Sequence, residues 1–453
     1  MENKHCLAPW THTYISPQSE RRLCCASREM SRTFKQYIDK NKENIDKDEA
    51  MDLLKNRNSY NPQTLEEHWN SDAMKDVRRR MMAGETLSEC EVCNHKLLNT
   101  NVYQSYFEGM FGHKREQLLA ETDADGTHHG LPTSFDYRIS NICTFKCRMC
   151  GPMLSSAWEA EARRFSPNIV DHEPWMQPEN RKAIRNFQQN TVVSELWKAI
   201  KEERIEEIYW VGGEPLNWPE HWEMMSYMVK HGISKNVYVR YNTNLSNIYN
   251  TTYDDYNTKA TSIALFESLL PEFKDWQVCA SLDAVGPVGE YIRTGLKWNE
   301  FDFNFRHGTK AVRHPRQLRL DLTLTLPGLM DLKSYVEYAD EFEVDILAKV
   351  IFAFTPDIIM SPLALPRPLL NDLVEYWIAD LELRHKRHDA LIDVLKNLLT
   401  RPNFQEQWPD EYLLGLWKGK SRILELEERR EDTYTMRDIL SKMPAVKEWW
   451  DGI

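Results

Sequence analysis

Three cysteines, Cys143, Cys147 and Cys150, stand in the pattern C-x3-C-x2-C within the stretch SNICTFKCRMCGP. Thiolates this close together can hold an iron–sulfur cluster. A cubane 4Fe–4S cluster bound by only three protein ligands keeps one iron open, and an open iron can seize a small chelating molecule. Such a site suits a redox enzyme better than a passive electron carrier. A second group of cysteines comes earlier: Cys6, the adjacent Cys24 and Cys25, and the pair Cys90-x2-Cys93. Four thiolates from this group would saturate a second cluster, or equally a structural zinc ion. Cys279 lies inside an apolar run and reads as a small core residue.

The chain has nine cysteines, an odd number, and eight of them fall in its first third. No apolar signal region opens the sequence MENKHCLAPW. Metal or cluster binding is therefore the better reading than a disulfide framework, and a cytoplasmic location is expected. At 453 residues the chain has room for two or three domains. Apolar residues make up 42% and charged residues 28%, as in an ordinary globular protein. A net charge of −12 gives no support for nucleic-acid binding. No apolar run is long enough for a transmembrane helix, so no membrane partner is expected.

Elements that could position these cysteines follow from periodicity. Residues 1–115 carry short apolar pieces, the paired cysteines and a mixed-charge stretch, DKNKENIDKDEAMDLL, expected to be an exposed helix. ETDADGTHHGLPT reads as a linker within 116–133. Its Asp123-x-Asp125-Gly126 lacks the closing glutamate of a calcium loop, and His128 and His129 read as exposed polar residues. From 134 to 355, β-branched and aromatic runs alternate with helical stretches. Strands are expected at 134–140, 205–211, 236–244, 276–283, 317–326 and 344–354. This alternation predicts an α/β fold with a parallel sheet, as a partial or complete barrel. The cysteine loop, Gly212-Gly213-Glu214-Pro215 and the Asp283 region all fall at C-terminal strand ends, where such folds gather function. Residues 356–453 read as a helical extension packed over one end or side of the barrel.

With the cysteine loop and the GGEP turn together, the chain resembles the radical S-adenosylmethionine (radical SAM) enzymes. The resemblance covers roughly 134–355 and implies a partial (β/α)6 barrel of the TIM type. It implies that Cys143, Cys147 and Cys150 hold a 4Fe–4S cluster whose open iron is chelated by S-adenosylmethionine. Reductive cleavage of that cofactor would give a 5′-deoxyadenosyl radical, which abstracts hydrogen from a substrate. Gly212, Gly213, Glu214 and Pro215 would bind the cofactor, the glycine pair letting backbone approach it and Glu214 holding its ammonium. Asn244, and Ser281 or Asp283 at the ribose, would be further cofactor contacts, and Arg293 would meet the carboxylate. A peptide, protein or small-molecule substrate and an electron donor such as flavodoxin or ferredoxin are implied.

The N-terminal cysteines look like a twitch domain, a shortened relative of the SPASM domain that holds an auxiliary 4Fe–4S cluster. The spacing would run Cys6, position 19, Cys24, with Cys90 and Cys93 completing the set. Position 19 is Ser where the pattern has glycine, so a tight turn must form without glycine's freedom. Cys24 is favoured over Cys25, though adjacent thiols are hard to separate by sequence. The module also precedes the barrel here, whereas it more often follows. The expected reaction is modification of a peptide or protein side chain. The alternatives are a small-molecule radical oxidoreductase and a catalytically silent, zinc-stabilised binding protein.

Overall fold

A computed structural model describes residues 5–27, 60–94, 102–166, 168, 173–253, 260–350, 359–384 and 388–453. The charged stretch expected as an exposed helix lies outside them, as do the last residues of the sixth expected strand. No helix among the described residues is long and apolar enough to cross a membrane.

Among the described residues ten strands form in chain order: β1 (His12–Ile15), β2 (Arg21–Arg22), β3 (Ser134–Tyr137), β4 (Glu207–Trp210), β5 (Tyr238–Thr243), β6 (Tyr249–Tyr253), β7 (Ala260–Ala264), β8 (Asp275–Ser281), β9 (Leu318–Leu324) and β10 (Asp345–Val350). Eight of them make a mostly parallel sheet, ordered β10-β9-β8-β5-β4-β3-β1-β2. β6 and β7 form a separate antiparallel hairpin. Six strands of the large sheet are those expected from periodicity. The other two arise from the N-terminal segment: β1 pairs in parallel with β3, and β2 closes an antiparallel hairpin on β1. They escape a periodicity reading because each is very short and β1 is buried along its whole length.

The chain divides into two compact units. The first comprises Met1–Cys143, Pro152–Arg240 and Ser268–Trp276. Here one sheet face is apolar: Phe135, Tyr137, Ile208, Trp210 and Val239 are buried. Trp210 donates its indole N–H to the Met225 sulfur on the helix Pro219–Lys230, which shows what that face packs on. The opposite face is polar yet buried. Glu207 accepts from Tyr106 Oη at 2.7 Å, from Arg240 Nε at 2.7 Å and from Ser134 Oγ. With Ser134 donating to Glu207, the His12 Nδ1–H must donate to Ser134 Oγ, 2.7 Å away. The Arg240 guanidinium lies between the rings of Tyr106 and Tyr209, at 4.2 and 4.1 Å. Burial opposes ionisation of Glu207, but the Arg240 charge, His12 and the bonds from Ser134 and Tyr106 together hold the carboxyl below its usual range.

The expected linker is folded. Asp123 and Gly126 close a turn, and His129 N donates to Glu121 O at 3.0 Å. At Gly126, with φ +90°, a Cβ would meet Lys75 O at 2.1 Å, so this turn lies directly on the helix Asp72–Met82. His128 is consequently buried rather than exposed, while His129 stays exposed against Asp123.

The second unit comprises Thr144–Gly151, Tyr241–Glu267 and Gln277–Ile453. Leu320, Leu322 and Leu324 of β9 are fully buried on one face. The other face carries Asn242, Cys279, Arg319, Asp321 and Lys349. Asp321 accepts from Asn242 and from Lys349 at 3.0 Å. Cys279 is buried, as expected, but on this polar face, where Arg319 Nε donates to its sulfur at 3.2 Å. In the C-terminal part the helix Arg367–Glu382 packs on Asp389–Thr400, and Tyr412–Arg430 follows.

Candidate functional site

β3 and β4 run side by side in parallel, Ser134 opposite Glu207 and Phe135 opposite Ile208. Their C-terminal ends carry two of the motifs, and the backbone ties these together within the first unit. Gly213 N donates to Ser140 O at 3.1 Å, and Glu214 N to Ile142 O at 2.6 Å. A Cβ on Gly213 would stand 2.3 Å from Ile142 O and 2.7 Å from the Asn141 carbonyl carbon. Gly212 adopts φ +141° with Ser140 O only 3.2 Å from its own would-be Cβ. The paired glycines are therefore required for the GGEP turn to touch the start of the cysteine loop. Glu214 is buried, and its carboxylate accepts from Leu216 N at 3.1 Å, capping the short turn Pro215–Asn217.

Cys143 is held by the start of the helix Ser156–Phe165. Ser156 Oγ accepts from Cys143 N at 3.2 Å, and Ala157 N donates to Cys143 O. Asn141, two residues earlier, is buried and fully engaged. Its amide donates to Pro152 O at 3.0 Å and Glu159 Oε2 at 2.9 Å, and its oxygen accepts from Arg181. Burial opposes ionisation of Glu159, but bonds from Asn141 and Arg163 and the nearby Arg181 hold its carboxyl below the usual range. These supporting residues carry no spacing signal in the sequence. A polar Asn immediately after a strand and just before the first cysteine was the one available hint.

In the second unit, the residues after that cysteine lie along 291–295. Lys146 N donates to Thr294 O at 2.7 Å and Arg148 N to Ile292 O at 2.8 Å. Gly295, at φ +109°, would bring a Cβ 3.2 Å from Phe145 Cα. Asp283 and Arg293 pair with one another: Nε to Oδ2 at 2.7 Å and Nη2 to Oδ1 at 3.1 Å. Asp283 is buried and Arg293 half-buried; burial opposes the guanidinium's charge, but the Asp283 carboxylate raises its pKa and keeps it protonated. The Arg293 charge also bears on the Cys147 and Cys150 thiols. Burial raises the Cys150 thiol overall, and the Arg293 guanidinium opposes that rise, favouring the thiolate a metal would need. Asn244 is buried, its carbonyl accepting from Ser246 N at 2.9 Å, and Ser281 ends β8 half-buried. Residues expected to bind one cofactor thus occur in both units.

The second cysteine group lines a cavity of about 100 Å³ in the first unit, walled by Cys6, Cys24, Cys90, Cys93, Tyr103 and Glu89 among others. Cys24 lines it and Cys25 does not; Cys25 instead engages Tyr103 and stands near Asp136, Arg138 and Arg240. Beneath the cavity is an apolar cluster of Leu7, Trp10, Leu23, Met81, Phe107 and Phe111. Burial pushes the Cys6 thiol up to about 12 and raises Cys24 and Cys93 as well. Thiols so placed ionise when a cation joins them. Among the described residues no three His, Cys, Asp or Glu side chains stand at metal-bonding separation. The turn leading from β1 to β2 has Ser19 at φ +63°, the left-handed conformation glycine would supply.

No family model matches the chain, and no curated protein matches it. Among solved structures, SuiB of Streptococcus suis bound to S-adenosylmethionine is 13% identical, covering 70% of this chain and 60% of its own, with a TM-score of 0.34. Native anSMEcpe with bound AdoMet is 16% identical, covering 55% of this chain and 61% of its own, at TM-score 0.33. SuiB bound to its precursor peptide SuiA is 12% identical, covering 68% and 60%, at TM-score 0.33. The chain thus spans under two thirds of the length of these neighbours.

Proposed function

We propose that this chain is a radical SAM enzyme with two 4Fe–4S clusters. The observation that carries the reading is the GGEP turn folded against the cysteine loop at the ends of adjacent parallel strands. Cys143, Cys147 and Cys150 would hold the first cluster, with Glu214, Asn244, Ser281, Asp283 and Arg293 serving S-adenosylmethionine. The Asp283–Arg293 pair supports one shared role, Asp283 orienting the guanidinium rather than each side chain acting alone. When bound, cluster and cofactor supply the electron and the 5′-deoxyadenosyl radical. The chain's own residues fix the loop, keep the turn open through Gly213 and place one cation beside two thiolates. Cys6, Cys24, Cys90 and Cys93 would hold the auxiliary cluster, a choice their shared cavity supports. A partial barrel over 134–355, flanked by the twitch-like segment 1–115, the folded 116–133 and the helical 356–453, is the architecture proposed.

The substrate proposed is a peptide or protein side chain. A small-molecule oxidoreductase would instead turn over without a peptide. Anaerobic reconstitution should give about eight irons per chain under the two-cluster reading. Reduction with S-adenosylmethionine present should release 5′-deoxyadenosine, and none from fully loaded protein would sink the proposal. Zinc in place of the second iron set would leave the first assignment standing and make Cys6, Cys24, Cys90 and Cys93 a structural site.

A further inference from the structure

Arg148 lies between Cys147 and Cys150 in the chain, yet it points into protein rather than solvent. Its side chain is fully buried. The guanidinium lies 3.7 Å over the Tyr291 ring, donates to Thr294 Oγ1 at 2.8 Å and to Tyr291 O, and is ion-paired with Asp432. Asp432 follows the cap residue Glu431 of the helix Tyr412–Arg430, which adopts the left-handed conformation at φ +54°. From that helix's last turn, Arg430 donates to Lys146 O at 3.0 Å and to Thr294 Oγ1 at 3.1 Å. One turn earlier, Glu427 accepts from Tyr291 Oη at 2.7 Å and from Met436 N at 2.6 Å. Every one of these residues belongs to the second unit.

Such a set exceeds what packing a terminal helix requires. A fully buried guanidinium, a half-buried one and two carboxylates converge on Lys146 and Arg148 of the cysteine loop and on its neighbour 291–294. A buried ion pair is costly to desolvate, and removing one partner leaves the other uncompensated. The potential of an iron–sulfur cluster responds to nearby charge and to hydrogen bonding. A cation favours the added electron, and an anion paired with that cation damps the effect.

We propose that the end of the C-terminal helix clamps the cysteine loop, and that Arg148, balanced by Asp432, is a positioning residue that sets the reduction potential of the loop's cluster. The inference rests on the radical SAM reading for the cluster; the clamp itself concerns only the polypeptide. Removing Arg148 withdraws a cation, so the cluster should become harder to reduce. Removing the Asp432 charge unmasks that cation, so the cluster should become easier to reduce.

The test is an EPR-monitored redox titration of reconstituted full-length protein, comparing wild type with Arg148→Gln and Asp432→Asn. The expected result is midpoint shifts of opposite sign, negative for Arg148→Gln and positive for Asp432→Asn, and Arg148→Lys restoring most of the loss. Shifts of the same sign, or none with iron content intact, overturn the charge-tuning role. Should a variant fail to retain iron, hydrogen exchange on the metal-free chains decides. Asp432→Asn and Arg430→Gln should speed exchange at the amides of Lys146 and Arg148 by tenfold or more; unchanged exchange overturns the clamp. Failure of the radical SAM reading looks different: the wild-type EPR signal would not respond to S-adenosylmethionine, while the exchange result would still stand or fall by itself.

Discussion

The two cysteine regions are built in opposite ways. Cys143, Cys147 and Cys150 come from one loop after β3, and backbone bonds from several elements hold that loop. Cys6, Cys24, Cys90 and Cys93 come from three separated stretches, and an apolar cluster brings them to one cavity. The first region has polar support throughout: Asn141, Glu159 and Arg181 on one side of Cys143, Arg148 and Thr294 after it. The second has thiols whose burial raises their pKa, with the Arg80, Asp76 and Glu89 charges alongside. A loop built of hydrogen bonds can leave a metal site accessible to a small ligand. A site built on a hydrophobic cluster is better suited to closure, as structural and electron-transfer centres require.

The largest effect should come from removing one ligand on each side of that contrast. Cys147→Ala should abolish 5′-deoxyadenosine release while the N-terminal iron remains. Cys90→Ala should lose about half of the total iron and keep the S-adenosylmethionine-dependent signal. Iron analysis with EPR checks both. Loss of both metal sets from either variant would mean that the two regions are not separate centres.

Gly213→Ala should come next. Its new methyl would stand 2.3 Å from a backbone oxygen that cannot rotate away, so the loop must move. Overpacking of this kind costs about 1–3 kcal/mol, and misplacement by about 1 Å can lower a rate by roughly a hundredfold. Cofactor cleavage should fall by that order while metal binding at Cys6, Cys24, Cys90 and Cys93 is unchanged. Wild-type cleavage in this variant would show that the turn and the loop do not act together.

This contrast also explains what could be read from sequence. The first site is contiguous, so its spacing survives in the primary structure, and the six alternating strands place it because β-periodicity is local. The N-terminal strands were not legible, since a two-residue strand such as β2 has no period. Pairing of Arg148 with Asp432 spans 284 positions and follows only from tertiary packing. His128 read as exposed because its neighbours are polar; Gly126 lets the turn approach Lys75 and buries it. Cys24 and Cys25 are alike by spacing and differ only in what each side chain faces.

A smaller effect concerns pH. Burial lowers the pKa of His12 below its usual value, although Glu207 and Asp136 oppose this. The unfolded chain therefore takes up a proton that the folded chain resists. Stability tied to His12 is present above the ordinary histidine pKa, about 6.5, and is lost as pH falls through it. The metal-free chain should melt at a lower temperature at pH 5 than at pH 7, and His12→Gln should shrink the difference. Burial also lowers His128 to about 4 and His221 to about 3, so His12→Gln should remove only its own share of the acid sensitivity. An unchanged difference in His12→Gln would remove His12 as its source.

The smallest effect separates conformation from chemistry at Ser19. Ser16 organises this turn, its hydroxyl accepting from Gln18 N and Glu20 N at 3.2 and 3.1 Å. Ser19 N donates to Ser16 O at 2.8 Å, which fixes Ser19 at φ +63°. Glycine would adopt that angle freely but would lose the hydroxyl's bond to Tyr60, so Ser19→Gly should change stability by less than about 1 kcal/mol. A β-branched residue is strongly disfavoured at this angle, so Ser19→Val should cost about 1–3 kcal/mol. Denaturant unfolding of the metal-free chain measures both. Because β2 delivers Cys24 to its cavity, Ser19→Val should also weaken metal binding there while cofactor cleavage at the loop stays intact. If valine were tolerated like glycine, the turn would not be what places Cys24, and the hydrophobic cluster alone would have to do so.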